Sequence, residues 1–276
     1  MELISPENHY CPGSRNPGEP SAKIRNADIS GCNVNPLGYP QLVIFDIDGT
    51  IIDHENAARI ALEKARTHVE ELAALSHEEL SHLWGKNFLI LWKDVISGKS
   101  SIEANRTQRF LNIIEGIGYG QLPEVAERAA SIYGNSYDSN ISAISGADEV
   151  MGNIKELGIP IALLTNNLAL NQKMKLEKAG LNGLYDFMLT SEETGLFKPD
   201  REIFNALLKK FSCLPGRALM VGNSFEEDVA GAYASGIRAV WFNRFRYPKP
   251  DTDIKYMEIT GYLPVNHTLE TMFSHF

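Results

Sequence analysis

The chain has 276 residues, of which 43% are hydrophobic and 22% charged, enough for one large globular domain or a domain with an insert. Its net charge of −9 and its isoelectric point of about 5.3 argue against a nucleic acid polymer or an anionic membrane as the main partner. Three widely spaced cysteines without CxxC spacing argue against a disulfide framework or a zinc site, and they fit a reducing, cytoplasmic compartment. No apolar run is as long as a membrane-spanning helix.

The first segment, residues 1–38, differs in composition from the rest of the chain. It is rich in Pro, Gly, Asn and Ser, has no periodic apolar pattern and lacks the apolar core of a signal peptide. We interpret it as a flexible N-terminal extension. A compact unit is then expected to begin near Tyr39.

The chain is organised around residues 41–53, which read QLVIFDIDGTIID. The apolar run Leu42–Phe45 predicts a strand buried on both faces of a parallel sheet, with a buried helical segment as the alternative. Asp46 and Asp48 follow directly, before Gly49. Carboxylates are rarely buried without a cationic partner, and α/β proteins bind ligands at the carboxyl ends of parallel strands. The two aspartates are therefore candidate active-site residues, and a plain turn rich in Asp and Gly is the alternative.

Residues 54–140 have helical periodicity, which predicts an all-α unit of four or five helices. From Asp148 onward apolar runs alternate with helical segments, which predicts βαβ units with right-handed crossovers. The predicted helices in this part are 148–157, 169–179, 200–211 and 226–235. The fold class predicted is thus α/β, with a Rossmann-like parallel sheet core in residues 39–53 and 141–276 and an inserted all-α cap in residues 54–140.

The segment after Arg244 contains several prolines and no long apolar run. We expect it to be irregular and to wrap the sheet, with a short final helix through Leu269 and Met272.

Three further motifs follow at predicted strand ends or helix starts. Thr165 and Asn166 end an apolar run, where a hydroxyl and backbone N–H groups can bind phosphate oxygens. Lys198, in GLFKPD, lies at a helix start from which its ammonium can reach the open end of the sheet. Asn223 and Asp228 lie in the loop after another predicted strand and offer oxygen ligands to a hard cation. Taken singly, each motif also has a purely structural explanation.

Together, the four motifs occur in the order found in the haloacid dehalogenase superfamily, which the chain resembles over about residues 41–245. The resemblance implies that Asp46 is a nucleophile that forms an aspartyl phosphate and that Asp48 is the general acid and base. It also implies that Thr165 and Lys198 bind the non-bridging phosphoryl oxygens.

A Mg²⁺ cofactor is expected from the same resemblance, held by Asp46, the backbone carbonyl of Asp48, Asn223 and Asp228. Charge supports this expectation, because these carboxylates and a phosphate dianion would repel one another in one cleft unless a metal and Lys198 offset them. Asn223 departs from the family pattern, in which an acid is common at this position. Its amide oxygen can ligate a cation but brings no charge.

The cap sequence LWKDVISGKSSIEANRTQRF is similar to the cap of the pyrimidine 5′-nucleotidase and N-acylneuraminate-9-phosphatase branch. Trp92, Lys93, Arg106 and Arg109 are therefore candidates to contact the leaving group, with Trp92 and Arg109 the preferred pair. The alternative is that Trp92 belongs to the cap core and that the arginines are solvated.

The function expected from the sequence is Mg²⁺-dependent hydrolysis of a small phosphorylated metabolite, a nucleotide or a sugar phosphate, by a monomer or homodimer. Dehalogenation is a competing hypothesis, but the dehalogenases of the superfamily lack the second aspartate, so Asp48 favours phosphate. A phosphomutase is a second competing hypothesis. A third is a catalytically weak binding or regulatory protein, in which Asn223 marks loss of activity.

Overall fold

The computed structural model describes residues 38–86, 88–274 and 276, without the side chains of Leu89 and Ile90. The predicted N-terminal extension, residues 1–38, lies outside this part of the chain except for Gly38. Six parallel strands form one sheet in the order β3-β2-β1-β4-β5-β6. The strands are β1 Leu42–Phe45, β2 Ile161–Thr165, β3 Phe187–Thr190, β4 Ala218–Gly222, β5 Arg238–Phe242 and β6 Met257–Ile259. The α/β prediction is confirmed.

Strand β1 lies at the centre of the sheet and is buried on both faces. Val43 and Phe45 pack into the core cluster that includes the helices inserted after β1, and Leu42 and Ile44 pack into the cluster on the opposite face. All four side chains are fully buried. A continuous apolar run is what such a strand requires, because neither face meets water.

Among the described residues, five helices follow β1 within residues 54–140. They are α1 His54–His68, α2 His77–Lys86, α3 Phe88–Ile96, α4 Ile102–Ile114 and α5 Pro123–Ser139. A 3₁₀ turn at Glu70–Leu72 and a π-helical turn at Glu115–Tyr119 connect them. We call residues 54–140 the cap. The described residues from Gly38 onward belong to one compact unit, so the division into cap and core stays a prediction.

The remaining helices cover the sheet: α6 Ala147–Glu156, α7 Ala169–Lys178, α8 Ser191–Thr194, α9 Arg201–Lys210, α10 Gly231–Ala234 and α11 Val265–Phe273. The predicted helix 226–235 is instead a π-helical segment, Phe225–Ala230, followed by the single turn of α10. A 3₁₀ turn, Pro215–Arg217, precedes β4. In the described part of the chain, no helix is both long and apolar enough to cross a membrane.

The two chain segments that lead into and out of the cap run side by side. The Asp53 N–H donates to the Ser142 carbonyl at 2.9 Å, and the Ile144 N–H donates to the Ile51 carbonyl at 2.9 Å. Arg244 holds this junction to the core through two bonds to the Asp53 carboxylate, at 2.7 and 2.9 Å. The cap therefore starts and ends at one point, beside the carboxyl end of β1.

The prediction of an irregular tail after Arg244 is wrong in part. Residues Met257–Ile259 form β6 and pair in parallel with β5, and α11 is the expected final helix. Three residues with a central glutamate give no apolar run, so the sequence pattern does not reveal this edge strand. Beyond β6, Tyr262 is fully buried, stacks on Phe242 and donates its hydroxyl to the Thr50 carbonyl at 3.0 Å.

Candidate active site

The floor of the site is the turn that follows β1. The Asp46 N–H donates to the Val221 carbonyl at 2.9 Å, so the chain is still paired with β4 when it delivers this side chain. Gly49 has φ +83°, a conformation that suits glycine, and a Cβ there would lie 2.3 Å from Asn223 Nδ2. The turn therefore brings the first and fourth motifs into contact, and only glycine allows this approach.

Lys198 lies between two buried carboxylates. Its Nζ donates to Asp46 Oδ1 at 2.7 Å and to Asp228 Oδ1 at 2.6 Å, and all three residues are at most 7% exposed. Thr50 Oγ1 donates to the second Asp46 oxygen at 2.9 Å. Burial raises the pKa of Asp46 to about 6, against the opposing effect of Lys198. Burial alone would lower the pKa of Lys198, but Asp228 and Asp46 outweigh it and raise that pKa.

Backbone N–H groups of the fourth motif hold the Asp228 carboxylate and bind Thr50 of the first motif. The Ser224 N–H donates to Asp228 Oδ2 at 3.0 Å, and the Asn223 N–H donates to Thr50 Oγ1 at 3.0 Å. A Cβ on Gly222 would lie 2.3 Å from the Asp228 carboxylate, so the strand end must be glycine for Asp228 to fold back beneath it.

The described residues contain no group of three or more His, Cys, Asp or Glu side chains arranged to hold a metal. The donor set at this point is different: two carboxylates, Asp46 and Asp228, with the Asn223 amide oxygen, which accepts a long bond of 3.4 Å from Thr50 Oγ1. Hard oxygen donors of this kind suit Mg²⁺. The residues therefore fit a divalent cation, with one charge fewer than a site built on three carboxylates.

Thr165 and Asn166 end β2 next to β1, as predicted, but the Asn166 side chain is engaged with protein groups. Its Oδ1 accepts from the Lys198 N–H at 2.8 Å and from Ser191 Oγ at 3.1 Å. Its Nδ2 donates to the Lys198 carbonyl at 3.0 Å and to Glu227 Oε2 at 3.1 Å. Asn166 thus holds both polar groups of the Lys198 backbone, and its side chain fixes the lysine rather than offering a free donor to substrate.

Three residues that the sequence analysis missed bind the Asp48 carboxylate. Asp48 Oδ2 accepts from Gln172 Nε2 at 2.6 Å and from Asn167 Nδ2 at 2.9 Å, and Oδ1 accepts from Lys175 Nζ at 2.7 Å. Gln172 also donates to Thr165 Oγ1 at 3.2 Å. Burial raises the pKa of Asp48, but Lys175 and the other donors lower it by more, so the net pKa lies well below the usual range.

A spacing signal for these donors exists in the sequence. Gln172 and Lys175 are three residues apart on α7, which begins directly after the Thr165 motif, so both project from one face of the first helical turns. Both are nevertheless buried, which is unusual for a glutamine and a lysine. His54, at the start of α1, is half-buried, and its Nδ1 lies 2.7 Å from the Tyr137 hydroxyl.

The site opens into a cavity of about 550 Å³ between the sheet end and the cap, lined by all eleven residues that the sequence analysis names as candidates for the site. The Trp92 indole N–H donates to the Asn166 carbonyl at 3.1 Å, so this cap residue contacts the second motif directly. Trp92 stacks on Phe88 at 5.2 Å between ring centroids.

The interpretation of the cap arginines as solvated is wrong. Arg109 is 6% exposed, its guanidinium carbon lies 3.5 Å from the centre of the Trp84 ring, and its Nη2 donates to the Trp84 carbonyl. Arg106 is also largely buried, beside the rings of Tyr133 and Tyr137. Of the cap cations that line the cavity, Lys93 alone among the described residues is exposed.

Comparison with known proteins gives a family match over most of the chain. Residues 43–242 match the model of the haloacid dehalogenase-like hydrolases. The chain is 28% identical over 203 residues to the glyceraldehyde 3-phosphate phosphatase of Methanothermobacter thermautotrophicus, covering 73% of this chain and 84% of that protein. It is 29% identical over 202 residues to the ribulose-1,5-bisphosphate 5-phosphatase of Halopiger xanaduensis, with the same coverage of 73% and 84%.

Solved structures show the same fold. The magnesium-bound HAD-hydrolase YfnB of Bacillus subtilis superposes with a TM-score of 0.66 at 23% identity, covering 84% of this chain and 99% of that one. A shorter similarity, 32% over 110 residues, links 40% of this chain to 47% of a pyrimidine 5′-nucleotidase of Escherichia coli.

Proposed function

We propose that this chain, which belongs to the haloacid dehalogenase-like hydrolase family, is a phosphatase like its relatives. It hydrolyses the phosphomonoester of a small metabolite through an aspartyl phosphate on Asp46. Nucleotides and sugar phosphates are the substrate classes that we favour. The observation that carries the proposal is the buried Asp46, bonded to Thr50 and Lys198 at the floor of the cavity.

In the first step, Asp46 Oδ attacks phosphorus, the bond from phosphorus to the ester oxygen breaks, and the phosphoryl group is transferred to the carboxylate. Thr165 is the last residue of β2, and Lys198 lies between α8 and α9. Both residues line the cavity, where they can bind the non-bridging oxygens. Asn166 keeps the Lys198 backbone in place during this step. Water then hydrolyses the acyl phosphate and regenerates Asp46.

Asp48, two residues after Asp46, is the candidate general acid and base. Bound to Lys175, Gln172 and Asn167, it is ionised at neutral pH. We propose that ester binding displaces one of these donors and that Asp48 takes up a proton, which it gives to the leaving oxygen as the P–O bond breaks. Asp48 then accepts a proton from the water that attacks the acyl phosphate, which returns it to its protonated form for the next ester. Lys175 is thus a positioning residue for Asp48, and its ammonium group contacts the Asp48 carboxylate directly.

A divalent cation, Mg²⁺ in this proposal, would be held by Asp46, Asp228, Asn223 and the Asp48 carbonyl. When bound, it supplies positive charge that offsets the repulsion between the carboxylates and the phosphate dianion. The charge count supports this requirement, because Asp46, Asp48 and Asp228 face only two ammonium groups, those of Lys198 and Lys175, among the described residues.

The test is release of phosphate from an aryl phosphate and from a panel of phosphomonoesters, with Mg²⁺ and with a chelator. We expect metal-dependent turnover that falls at least about a hundredfold in Asp46→Asn, since the amide is close to isosteric but not nucleophilic. Asp94→Asn, which changes an exposed acid of the cap, is the matched control and should keep full activity. A folded Asp46→Asn protein with more than about a tenth of the wild-type rate would overturn the assignment.

A further inference from the structure

The cavity wall formed by helices α2 to α5 carries positive charge. Its cations are Lys93, Arg106 and Arg109, and none of the described residues that line this wall is a carboxylate. Arg106 pairs with Asp138, whose Oδ1 lies 3.8 Å from Arg106 Nη2. A neutral leaving group would therefore leave the wall with uncompensated positive charge.

Of the three cations, Arg109 gives the strongest evidence for a bound anion. It is 6% exposed, yet no carboxylate in the described part of the chain lies within ion-pair distance of it, and its Nε has no hydrogen-bond partner there. The rings of Trp84 and Phe88 flank the guanidinium at 3.5 and 5.2 Å, which fixes its plane. A buried cation without a counter-charge is costly, and a bound anion would remove that cost.

Asn105 adds a second donor on the same helix face. It precedes Arg109 by four residues on α4, so the two side chains are neighbours. Asn105 is 4% exposed, lines the cavity, and its Nδ2 also has no hydrogen-bond partner among the described residues. Both side chains line the same cavity, and each keeps a buried donor without an acceptor among the described residues, which favours an acceptor that a ligand supplies.

These donors are separate from the groups that act on phosphorus. Arg109 bonds and stacks within the cap, whereas Asp46 and Lys198 contact each other at the sheet end. We propose, building on the proposed function, that Arg109, Asn105 and Arg106 form a subsite for a second anionic group on the leaving group. The preferred substrates are then phosphomonoesters of small acidic molecules, in which the second anion is a carboxylate or another phosphate.

The experiment compares matched esters that differ in the second charge. One pair is 3-phosphoglycerate and glycerol 3-phosphate, and the other is propane-1,3-diol bisphosphate and its monophosphate. We expect kcat/KM to favour at least one anionic member by roughly 10- to 100-fold, mainly through KM, because charge-assisted hydrogen bonds contribute this much. The pair with the larger ratio identifies carboxylate or phosphate as the group that the subsite binds.

Arg109→Met should lower kcat/KM for the anionic members at least about tenfold more than for the neutral members, since it removes the charge and keeps the apolar part of the side chain. Arg106→Gln, a milder change at a less buried position, should reduce the preference in part and guards against misfolding of the first variant. Arg128→Met is the matched control, because Arg128 is an exposed cap arginine that pairs with Glu71 and does not line the cavity. It should keep the full preference.

Two outcomes would overturn the subsite. One is equal kcat/KM for anionic and neutral esters, and the other is a proportional loss on both in Arg109→Met, which indicates a packing role for the arginine. Binding of the same esters to the Asp46→Asn protein, measured by calorimetry, decides the subsite independently of turnover. If no ester is hydrolysed, the proposed function fails, while tighter binding of the anionic esters would still support the subsite.

Discussion

The ion pair between Lys175 and Asp48 should be energetically strong, because both groups are largely removed from water. The Nζ to Oδ1 distance is 2.7 Å, and the two side chains are 4% and 21% exposed. Two unit charges at this separation attract by about 6 kcal/mol at an effective dielectric constant of about 20. Desolvation of the ammonium opposes this attraction, so we expect a net coupling energy of about 2 to 4 kcal/mol.

A double-mutant cycle measures this coupling. Lys175→Met leaves the half-buried Asp48 with two neutral donors, Gln172 and Asn167, and should destabilise the fold by about 3 kcal/mol. Adding Asp48→Asn removes the unpaired charge, so the double variant should be more stable than the sum of the single effects by about 2 to 4 kcal/mol. The measurement is urea unfolding at pH 7 with the free energy of unfolding extrapolated to water.

Lys178→Met is the control for this cycle. Lys178 lies on the same helix, is exposed, and donates to the Asp138 carbonyl at 2.9 Å, so its loss should cost less than about 0.5 kcal/mol. If the coupling energy between Lys175 and Asp48 is also below about 0.5 kcal/mol, the pair behaves as a surface ion pair. Lys175 would then not be the group that keeps Asp48 ionised.

Three further variants test other parts of the site. Asn223→Asp should lower the Mg²⁺ concentration for half-maximal phosphatase rate about tenfold, since it adds one negative charge to the ligand set; an unchanged value would mean that Asn223 is not near the metal. Gly222→Ala should destabilise the fold by about 1 to 3 kcal/mol and weaken metal binding, because its Cβ would lie 2.3 Å from the Asp228 carboxylate. A variant that unfolds at the same temperature as the wild type would contradict this. Burial lowers the pKa of His54 from 6.5 to about 4, so the folded chain binds fewer protons than the unfolded chain in that range and loses stability as the pH falls. Wild type should therefore lose about 2 kcal/mol more than His54→Asn between pH 7 and pH 5, and equal losses in urea unfolding would refute the sign.

The sheet core could be predicted from the sequence because its strands are buried on both faces. Such strands appear as continuous apolar runs, and the polar residues directly after them must lie at the same sheet edge. The positions of Asp46 and Thr165 were predicted in this way, whereas Lys198 was predicted from its place at a helix start and Asp228 from the loop after another strand. Strand β6 was missed because an edge strand of three residues needs no apolar run and is defined by its pairing with β5.

The donors to Asp48 and the environment of Arg109 could not be predicted in the same way, because both depend on how helices dock. Gln172 and Lys175 look like ordinary solvated residues until α7 is packed against the end of β2. Arg109 looks like a surface residue until α4 is placed against the ring of Trp84. The cytoplasmic location and the monomeric or homodimeric state stay predictions.

Two of the three tryptophans donate their indole N–H groups to backbone carbonyls of the second and fourth motifs. Trp92 of the cap donates to the Asn166 carbonyl at 3.1 Å, and Trp241 of β5 donates to the Asn223 carbonyl at 3.0 Å. Indole emission depends on the polarity around the ring, so separation of the cap from the sheet would expose Trp92 to water and leave the buried Trp241 unchanged. The protein thus carries an intrinsic fluorophore on the cap side of its cavity and an internal reference on the other.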